Sequence, residues 1–519
     1  MLAFSLFSLL CSAPAGPPEI IDDPPVTALA QALADGTLSS RALVERYQAR
    51  IAALDPLLAS VIELNPDALE LADRADAARK GGAKAKSPLD GLPILIKDNV
   101  STHDRMTTTA GSLALEGFIA PEDAEVVRRL REAGAIILGK TNLSEWANIR
   151  SSFSISGWSG RGGQTRNPYA LDRSPIGSSS GSGAAIAANL AVVALGTETD
   201  GSVTMPASVS GLVGLKPTVG LVSRHAIIPI SHSQDTAGPM ARSVADAAAL
   251  LDAIAGPDPR DPITLRAPSR ASSYLAGLDA KALAGARVGV VRALFGKSPH
   301  SDRVAEEAIA RMRTLGAVII DPVEIPTIDK LGQDENEVLL YELKADLDDY
   351  FKRFGRGAKV HSLAELIAWN EAHADRELFW FGQDLLETAA KKGPLSNKAY
   401  QTSLTRSQRL ARAEGIDRAM GQHHLDALFG PTSGPAGLID PVAGDYGSFG
   451  ASTLPAVAGY PHLTVPGGMV SGLPIGVSYF GRAYSEAKLL GIGYAFEQAT
   501  HHRAPPKMLK TVALPPLKR

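Results

Sequence analysis

Cysteine is almost absent from this chain of 519 residues, because the only one is Cys11, close to the N-terminus. The remaining chain therefore has no internal disulfide and no thiol nucleophile, which excludes cysteine-based amide hydrolases. An H-E-x-x-H motif and clustered Cys/His ligand spacings are also missing, which argues against a zinc hydrolase. We expect neither a metal nor a cofactor.

Blocks of like charge are also lacking. The 52 basic and 55 acidic residues give a net charge of −3, and five like charges never stand together. Nothing in this pattern indicates a nucleic-acid surface or a polybasic membrane patch. Small neutral molecules are the partners that this composition favours.

Long apolar runs are missing too, so no membrane span is predicted. The run at residues 2–10 is too short to cross a bilayer, and an A-x-A pattern at residues 13–15 follows it. We interpret residues 1–15 as a signal peptide, although a basic segment before the run is absent, and lipid attachment at Cys11 is disfavoured. Export to the periplasm or the medium is the prediction, with a cytoplasmic protein bearing an apolar tail as the alternative.

The order of elements predicts an α/β fold. A buried strand at residues 92–96 is followed by a helix at 122–133 and a strand at 135–138, which is typical of α/β layers. Between about residues 338 and 424 the pattern becomes almost wholly helical, so we expect a helical subdomain that caps the sheet.

Glycine and serine are concentrated at residues 175–217, and the rest of the chain is organised around this stretch. A Gly/Ser-rich loop leads into a small-residue helix at 184–191, an apolar run at 192–195 and a second loop centred on Gly201 and Ser202. The pattern brings two hydroxyl-bearing loops toward each other. Glycine accepts positive φ angles and lets N–H groups converge, so such loops are able to hold an oxyanion.

The same stretch resembles the amidase signature. It reads IGSSSGSGAA at residues 176–185, GTETDGSVT at 196–204 and GLKP at 214–217, and GLPILIKDN at 91–99 matches the lysine motif of the amidase signature family. The resemblance implies the amidase-signature fold, a central mixed β-sheet flanked by helices. It also implies one domain over residues 26–503, with the signature core at about 90–256.

The resemblance further implies hydrolysis of a carboxamide to a carboxylate and ammonia through an acyl-enzyme. Ser202 would attack, Ser178 would pass the proton on, and neutral Lys97 would accept it. For this the pKa of Lys97 must fall from about 10.4 toward about 7–8, which desolvation at the end of a buried strand favours. The family's cis peptide bond corresponds to Gly177–Ser178.

Further site residues come from the same resemblance. The expected oxyanion hole consists of the backbone N–H groups of Thr199, Asp200, Gly201 and Ser202, and the expected supporting residues are Gly177, Ser179 and Glu198. This chain departs from the family pattern at Glu198, at Asp200 and at Thr204, which replace the usual aspartate, glycine and arginine. Thr204 removes a positive charge near the nucleophile.

Flanking blocks indicate a branch of the family. Residues 141–148 (TNLSEWAN) and 162–169 (GGQTRNPY) resemble bacterial members that remove the C-terminal amide of peptides. A peptide amide is therefore the expected substrate, with another small, aryl or fatty amide as the alternative. We expect a monomer.

Three rival interpretations remain. Residues 177–181 also fit G-x-S-x-G, which would make Ser179 the nucleophile of an α/β-hydrolase, but turn-forming residues precede it instead of a strand. The amidotransferase component that acts on charged tRNA would be cytosolic, and the predicted leader and Thr204 argue against it. A binding protein without activity is disfavoured because Lys97, Ser178 and Ser202 are all present.

Overall fold

A mixed sheet of eleven strands runs through the protein, which we describe from a computed structural model over residues 23–269, 272–445 and 449–512. The strands are β1 (Val61–Leu64), β2 (Pro93–Lys97), β3 (Ile136–Thr141), β4 (Trp158–Ser159), β5 (Gly163–Gln164), β6 (Ala194–Glu198), β7 (Val213–Lys216), β8 (Thr236–Ala241), β9 (Arg287–Val290), β10 (Val318–Ile320), β11 (Ala427–Pro431), β12 (His462–Val470) and β13 (Leu473–Phe480). The order in the large sheet is β1-β3-β2-β6-β8-β7-β12-β13-β11-β9-β10, and β4 and β5 pair separately.

Helices flank this sheet. They are α1 (Val26–Ala34), α2 (Ser40–Leu58), α3 (Ala68–Lys80), α4 (Glu125–Glu132), α5 (Ser180–Ala187), α6 (Thr204–Val209), α7 (Val244–Ile254), α8 (Pro299–Thr314), α9 (Gly332–Phe354), α10 (Leu363–Ala372), α11 (Ala374–Glu377), α12 (Asp384–Ala390), α13 (Lys398–Ala411), α14 (Asp417–His423), α15 (Thr453–Ala458) and α16 (Glu486–Thr500). A π-helical turn at Arg412–Ile416 joins α13 to α14. The predicted α/β fold with a mixed sheet is confirmed, and α9 to α14 follow one another without a strand between them in the described chain.

The centre of the sheet explains the apolar run before Lys97. All five residues of β2 are buried, because β2 is an internal strand between its parallel neighbours β3 and β6 and helices including α2 and α5 pack against it. Leu95 pairs with Ala194 and Ile96 with Leu195, and this register brings Lys97 beside the following residues of β6.

The Gly/Ser-rich stretch folds as loop, helix, strand, loop and helix. Its helix, α5, begins at Ser180, four residues before the predicted start, because the Gly/Ser segment itself turns into the helix. The glycines permit a close approach: a Cβ on Gly181 would lie 2.3 Å from the Ser60 carbonyl oxygen. The strand β6 then leads into the second loop, and α6 starts just after Ser202.

One strand beside the site was not predicted. Residues 236–241 form β8, which pairs antiparallel with β6 so that Glu198 lies opposite Thr236. Its glycine and proline weaken the local strand signal, and the pairing with β6 and β7 compensates for it.

The predicted signal peptide at residues 1–15 and Cys11 lie outside the described residues. Within the described ranges, no helix combines the length and the apolarity that a bilayer crossing needs. The predicted domain boundaries, the monomeric state and the localisation stay predictions.

Candidate active site

Lys97 ends the buried strand β2 with a side chain that is fully buried. Its Nζ donates hydrogen bonds to Ser178 Oγ (2.8 Å), to Thr197 Oγ1 (2.9 Å) and to the Thr197 carbonyl oxygen (3.2 Å). Burial lowers the pKa of Lys97 to about 7, although the carboxylates of Asp235 and Glu198 act in the opposite direction. A large fraction of this amine is therefore neutral near pH 7 and able to accept a proton.

Ser178 is the buried partner of that amine. Its side chain is fully buried, and the peptide bond between Gly177 and Ser178 is cis. The Ser178 carbonyl oxygen accepts a hydrogen bond from the Ser144 N–H at 3.1 Å. A Cβ on Gly177 would lie 2.1 Å from Ser144 Oγ, so this position accommodates only glycine without rearrangement.

Ser202 lies beside a cavity. It lines a cavity of about 300 Å³ together with Gly177, and its carbonyl oxygen accepts a hydrogen bond from the Ser179 N–H at 3.1 Å. The two serine loops are therefore joined through their backbones. Within the described residues the hydroxyls of Ser178 and Ser202 are not hydrogen-bonded to each other, and such catalytic contacts often tighten only when substrate binds.

The loop at residues 199–202 is anchored by side chains on several sides. Glu198 accepts hydrogen bonds from the N–H groups of Val203 (2.7 Å) and Thr204 (2.9 Å) at the start of α6. Thr199 Oγ1 donates to Asp235 at 2.6 Å. Gly201 has φ +76°, a conformation that glycine adopts without strain.

These anchors leave backbone donors available. In the described chain, no protein group accepts a hydrogen bond from the N–H groups of residues 200–202. Unpaired N–H groups beside a serine hydroxyl are what an oxyanion hole requires. Glu198 holds the end of this loop through its hydrogen bonds to Val203 and Thr204, and its supporting role stays a prediction.

Ser179 has a different environment. Its side chain is fully buried, and its Oγ donates to the Thr197 carbonyl oxygen (3.0 Å) and accepts from the Thr197 N–H (3.2 Å). No described histidine is hydrogen-bonded to it, and no strand leads directly into it. These contacts describe a cross-link between the first loop and β6, and they argue against the nucleophile of an α/β-hydrolase.

Sequence reasoning missed three residues around the lysine. Thr197 accepts from both Lys97 and Asn99 Nδ2 (3.0 Å), and Asp235 accepts from the N–H groups of Ile230 (2.8 Å) and Ser231 (2.9 Å) as well as from Thr199. Burial raises the pKa of Asp235 to about 6. Asn99 is the last residue of the lysine motif and Asp235 precedes β8, so their positions gave a weak signal for these contacts that only the sheet pairing made specific.

One cluster in the described residues offers metal-type ligands. It consists of His232, Glu342 and Asp346, and His232 and Asp346 line a second cavity of about 160 Å³. Both ring nitrogens of His232 already face these carboxylates, Nδ1 at 2.9 Å from Asp346 and Nε2 at 3.3 Å from Glu342. The cluster is therefore explained as a set of ion pairs.

A family comparison decides the identity of this arrangement. The model of the amidase family matches residues 42–490, which is most of the chain. The chain belongs to the amidase signature family. The amidase is 43% identical over 481 residues to a probable amidase of Arabidopsis thaliana, an alignment that covers 91% of this chain and 89% of the relative.

Solved structures extend the comparison. The amidase is similar to the native peptide amidase from Stenotrophomonas maltophilia, with 52% identity and a TM-score of 0.88 over 93% of this chain and 98% of the other. It is also 36% identical to one component of the glutamyl-tRNA(Gln) amidotransferase from Symbiobacterium thermophilum, over 91% of this chain and 96% of that protein. The expected fold and amidase activity are confirmed.

Proposed function

We propose that this amidase hydrolyses the C-terminal amide of peptides with Ser202 as nucleophile, Ser178 as proton relay and Lys97 as base. The observation that carries the proposal is the contact between the fully buried Lys97 and Ser178, beside a cavity that Ser202 lines. A serine is a weak nucleophile until a neighbouring group accepts its proton. A buried amine whose pKa is about 7 is suited to accept it.

The first half-reaction follows from these positions. Ser202 Oγ bonds to the amide carbon, while its proton passes to Ser178 and the Ser178 proton passes to Lys97 Nζ. The N–H groups of residues 200–202 stabilise the oxyanion. The proton then returns through Ser178 to the amide nitrogen, the C–N bond breaks, and ammonia leaves an acyl group on Ser202.

Water completes the reaction by the same route. It attacks the ester carbon and gives its proton through Ser178 to Lys97. The returning proton restores the Ser202 hydroxyl as the ester bond breaks, which releases the carboxylic acid. One buried base therefore serves both half-reactions.

The lining of the cavity supports a peptide substrate. Apolar side chains line the same cavity as Ser202, from Ile149, Ile176, Met205, Leu339 and Phe449. They suit the aliphatic and aromatic parts of an amidated peptide end. The identity to a peptide amidase supports the same class, since it extends over nearly the whole of both chains.

Ammonia release tests the proposal directly. A panel of amidated dipeptides, free glutamine, fatty amides and aryl amides is incubated with the enzyme, and ammonia is measured. We expect the peptide amides to be preferred, and turnover only of another amide would refute the peptide assignment. Ser202→Ala should abolish turnover and the acyl adduct, whereas the matched Ser179→Ala should retain measurable turnover, because the Ser179 hydroxyl is bonded to the backbone of Thr197 and the backbone link from Ser179 to Ser202 is kept.

We further propose that residues 1–15 direct export. The support is the apolar run and the A-x-A pattern in the sequence. Mass spectrometry of the protein expressed in its source cells should find an N-terminus near Gly16 in the exported fraction. An intact Met1 in the cytosol would contradict export.

A further inference from the structure

The cavity beside Ser202 is nearly devoid of charge. Of the described residues that line it, Asp200 is the only one with an acidic or basic side chain, and the others are apolar, small or uncharged polar residues. A single charge in such surroundings is weakly screened and acts strongly on any ligand group nearby. Asp200 precedes the proposed nucleophile by two residues.

One oxygen of the Asp200 carboxylate accepts a hydrogen bond within the described residues, and the other does not. Its Oδ2 accepts a hydrogen bond from Thr453 Oγ1 at 2.7 Å, whereas its buried Oδ1 has no hydrogen-bond partner in the described chain. The anchor at the start of α15 fixes the position of the carboxylate. Among the described residues Thr453 supplies the hydroxyl bonded to this carboxylate, and the buried Lys216 is a positive charge that acts on it without a hydrogen bond.

A second acid stands behind Asp200. Glu335 on α9 is buried within hydrogen-bonding reach of it, and Glu335 Oε1 accepts from Gln234 Nε2 at 2.9 Å. Burial and the negative charge of Asp200 both raise the pKa of Glu335 well above its ordinary value. The neutral form of Glu335 is therefore favoured, and a protonated Glu335 is able to donate a hydrogen bond to the Asp200 carboxylate.

Hydrolysis changes the charge of the ligand at this place. The substrate carboxamide is neutral, whereas the product is a carboxylate on the same carbon, next to Ser202. Two negative charges in one cavity whose described lining contains no basic side chain repel each other. An ammonium or guanidinium group of a ligand would instead be attracted.

We propose that Asp200 is a specificity-determining residue that admits neutral and cationic carboxamides and expels the carboxylate product. The inference rests on the proposed hydrolysis of a carboxamide at Ser202, and it holds for any amide that the enzyme accepts. It makes the forward reaction less prone to product inhibition. It also disfavours acidic side chains close to the amide.

Inhibition constants of matched product analogues test the inference. For whichever amide is hydrolysed, the product acid is compared with the corresponding primary alcohol, which has a similar shape and no charge. In the wild-type enzyme we expect the acid to bind roughly tenfold more weakly than the alcohol. Equal or tighter binding of the acid would overturn the proposal without any variant.

The variant Asp200→Asn keeps the size of the side chain and its acceptor for Thr453. We expect it to tighten binding of the acid by roughly tenfold and to leave binding of the alcohol within about threefold. Glu335→Gln should keep the wild-type ratio, because it replaces a neutral acid by a neutral amide. The charge-matched control is Asp349→Asn. Asp349 lies on α9, the helix that contains Glu335, but it is exposed and does not line this cavity.

Two results would refute charge selection by Asp200. One is an unchanged ratio of acid to alcohol binding in Asp200→Asn, and the other is an equal change in Asp349→Asn. Failure of the peptide-amide assignment is recognised separately, because then only a non-peptide amide releases ammonia. In that case the ratio of inhibition constants is measured with the acid and the alcohol that correspond to the non-peptide amide.

Discussion

Two buried lysines on neighbouring strands differ in what surrounds them. Lys97 on β2 and Lys140 on β3 are both fully buried, and Lys140 pairs with Ile96, the residue before Lys97. Burial lowers the pKa of Lys97 to about 7 and that of Lys140 to about 8. Desolvation alone therefore does not distinguish the proposed base from its neighbour.

The partners of the two amines make the difference. Lys140 Nζ donates to the Val100 carbonyl oxygen (2.7 Å) and Thr108 Oγ1 (3.0 Å), and the Asp98 carboxylate is the main charge that favours its protonated form. Lys97 instead contacts Ser178, whose loop reaches the cavity. A buried lysine is therefore a candidate base when its amine contacts a hydroxyl next to a cavity, as that of Lys97 does. Without such a contact, as in Lys140, the buried amine serves as a counter-ion.

Replacing each lysine by methionine should give the largest effects and tests whether the two lysines have different roles. We expect Lys97→Met to lower kcat by roughly 10²–10⁴-fold, since a general base is lost, with little change in the free energy of unfolding. Lys140→Met should retain turnover per folded molecule within a few-fold but lower the free energy of unfolding by about 3 kcal/mol, because Asp98 stays buried with only Arg161, 3.6 Å away, as a positive partner. Steady-state ammonia release and urea denaturation measure the two effects, and equal losses of turnover would contradict the distinction.

The pH profile sharpens the comparison. Protonated Lys97 cannot accept the proton, so kcat/KM should rise with pH through an apparent pKa of about 7. Asp235 raises the pKa of Lys97, so Asp235→Asn should move the rising limb to lower pH, by about half to one unit.

The matched control for the pH profile is Asp104→Asn, because Asp104 acts on the pKa of Lys140. This change should leave the limb of kcat/KM in place. A limb that stays fixed in Asp235→Asn, or moves to higher pH, would show that another group controls the rate.

Removing one threonine hydroxyl that accepts a hydrogen bond from each lysine should have the smallest effect. Thr197→Val removes an acceptor shared by Lys97 and Asn99, so we expect kcat to fall by about fivefold as the amine loses its alignment with Ser178. Thr108→Val removes the equivalent acceptor from Lys140 and should lower stability by about 1 kcal/mol with unchanged kcat. Parallel kinetics and thermal unfolding compare the pair, and a loss of kcat in Thr108→Val would contradict the assignment.

Much of the site was predictable because its signals are local. The Gly/Ser-rich loop, the small-residue helix and the lysine at the end of an apolar run each occupy a few consecutive residues, and the amidase signature joins them. The start of α5 was predicted four residues late, because single-residue propensities place Gly and Ser in loops. The contacts of Thr197 and Asp235 were not predictable, since they depend on the pairing of β6 with β2 and β8.

The sequence by itself determined the family, the amidase chemistry and the residue types that carry it, because these are encoded in short stretches whose backbone requirements are local. Only the tertiary structure decided which other groups Lys97 and Lys140 contact, and that Asp200 and Glu335 lie beside each other next to the Ser202 cavity. The physical reason is that desolvation and charge interactions depend on distances between residues far apart in the chain. Those distances are set by strand register and helix packing.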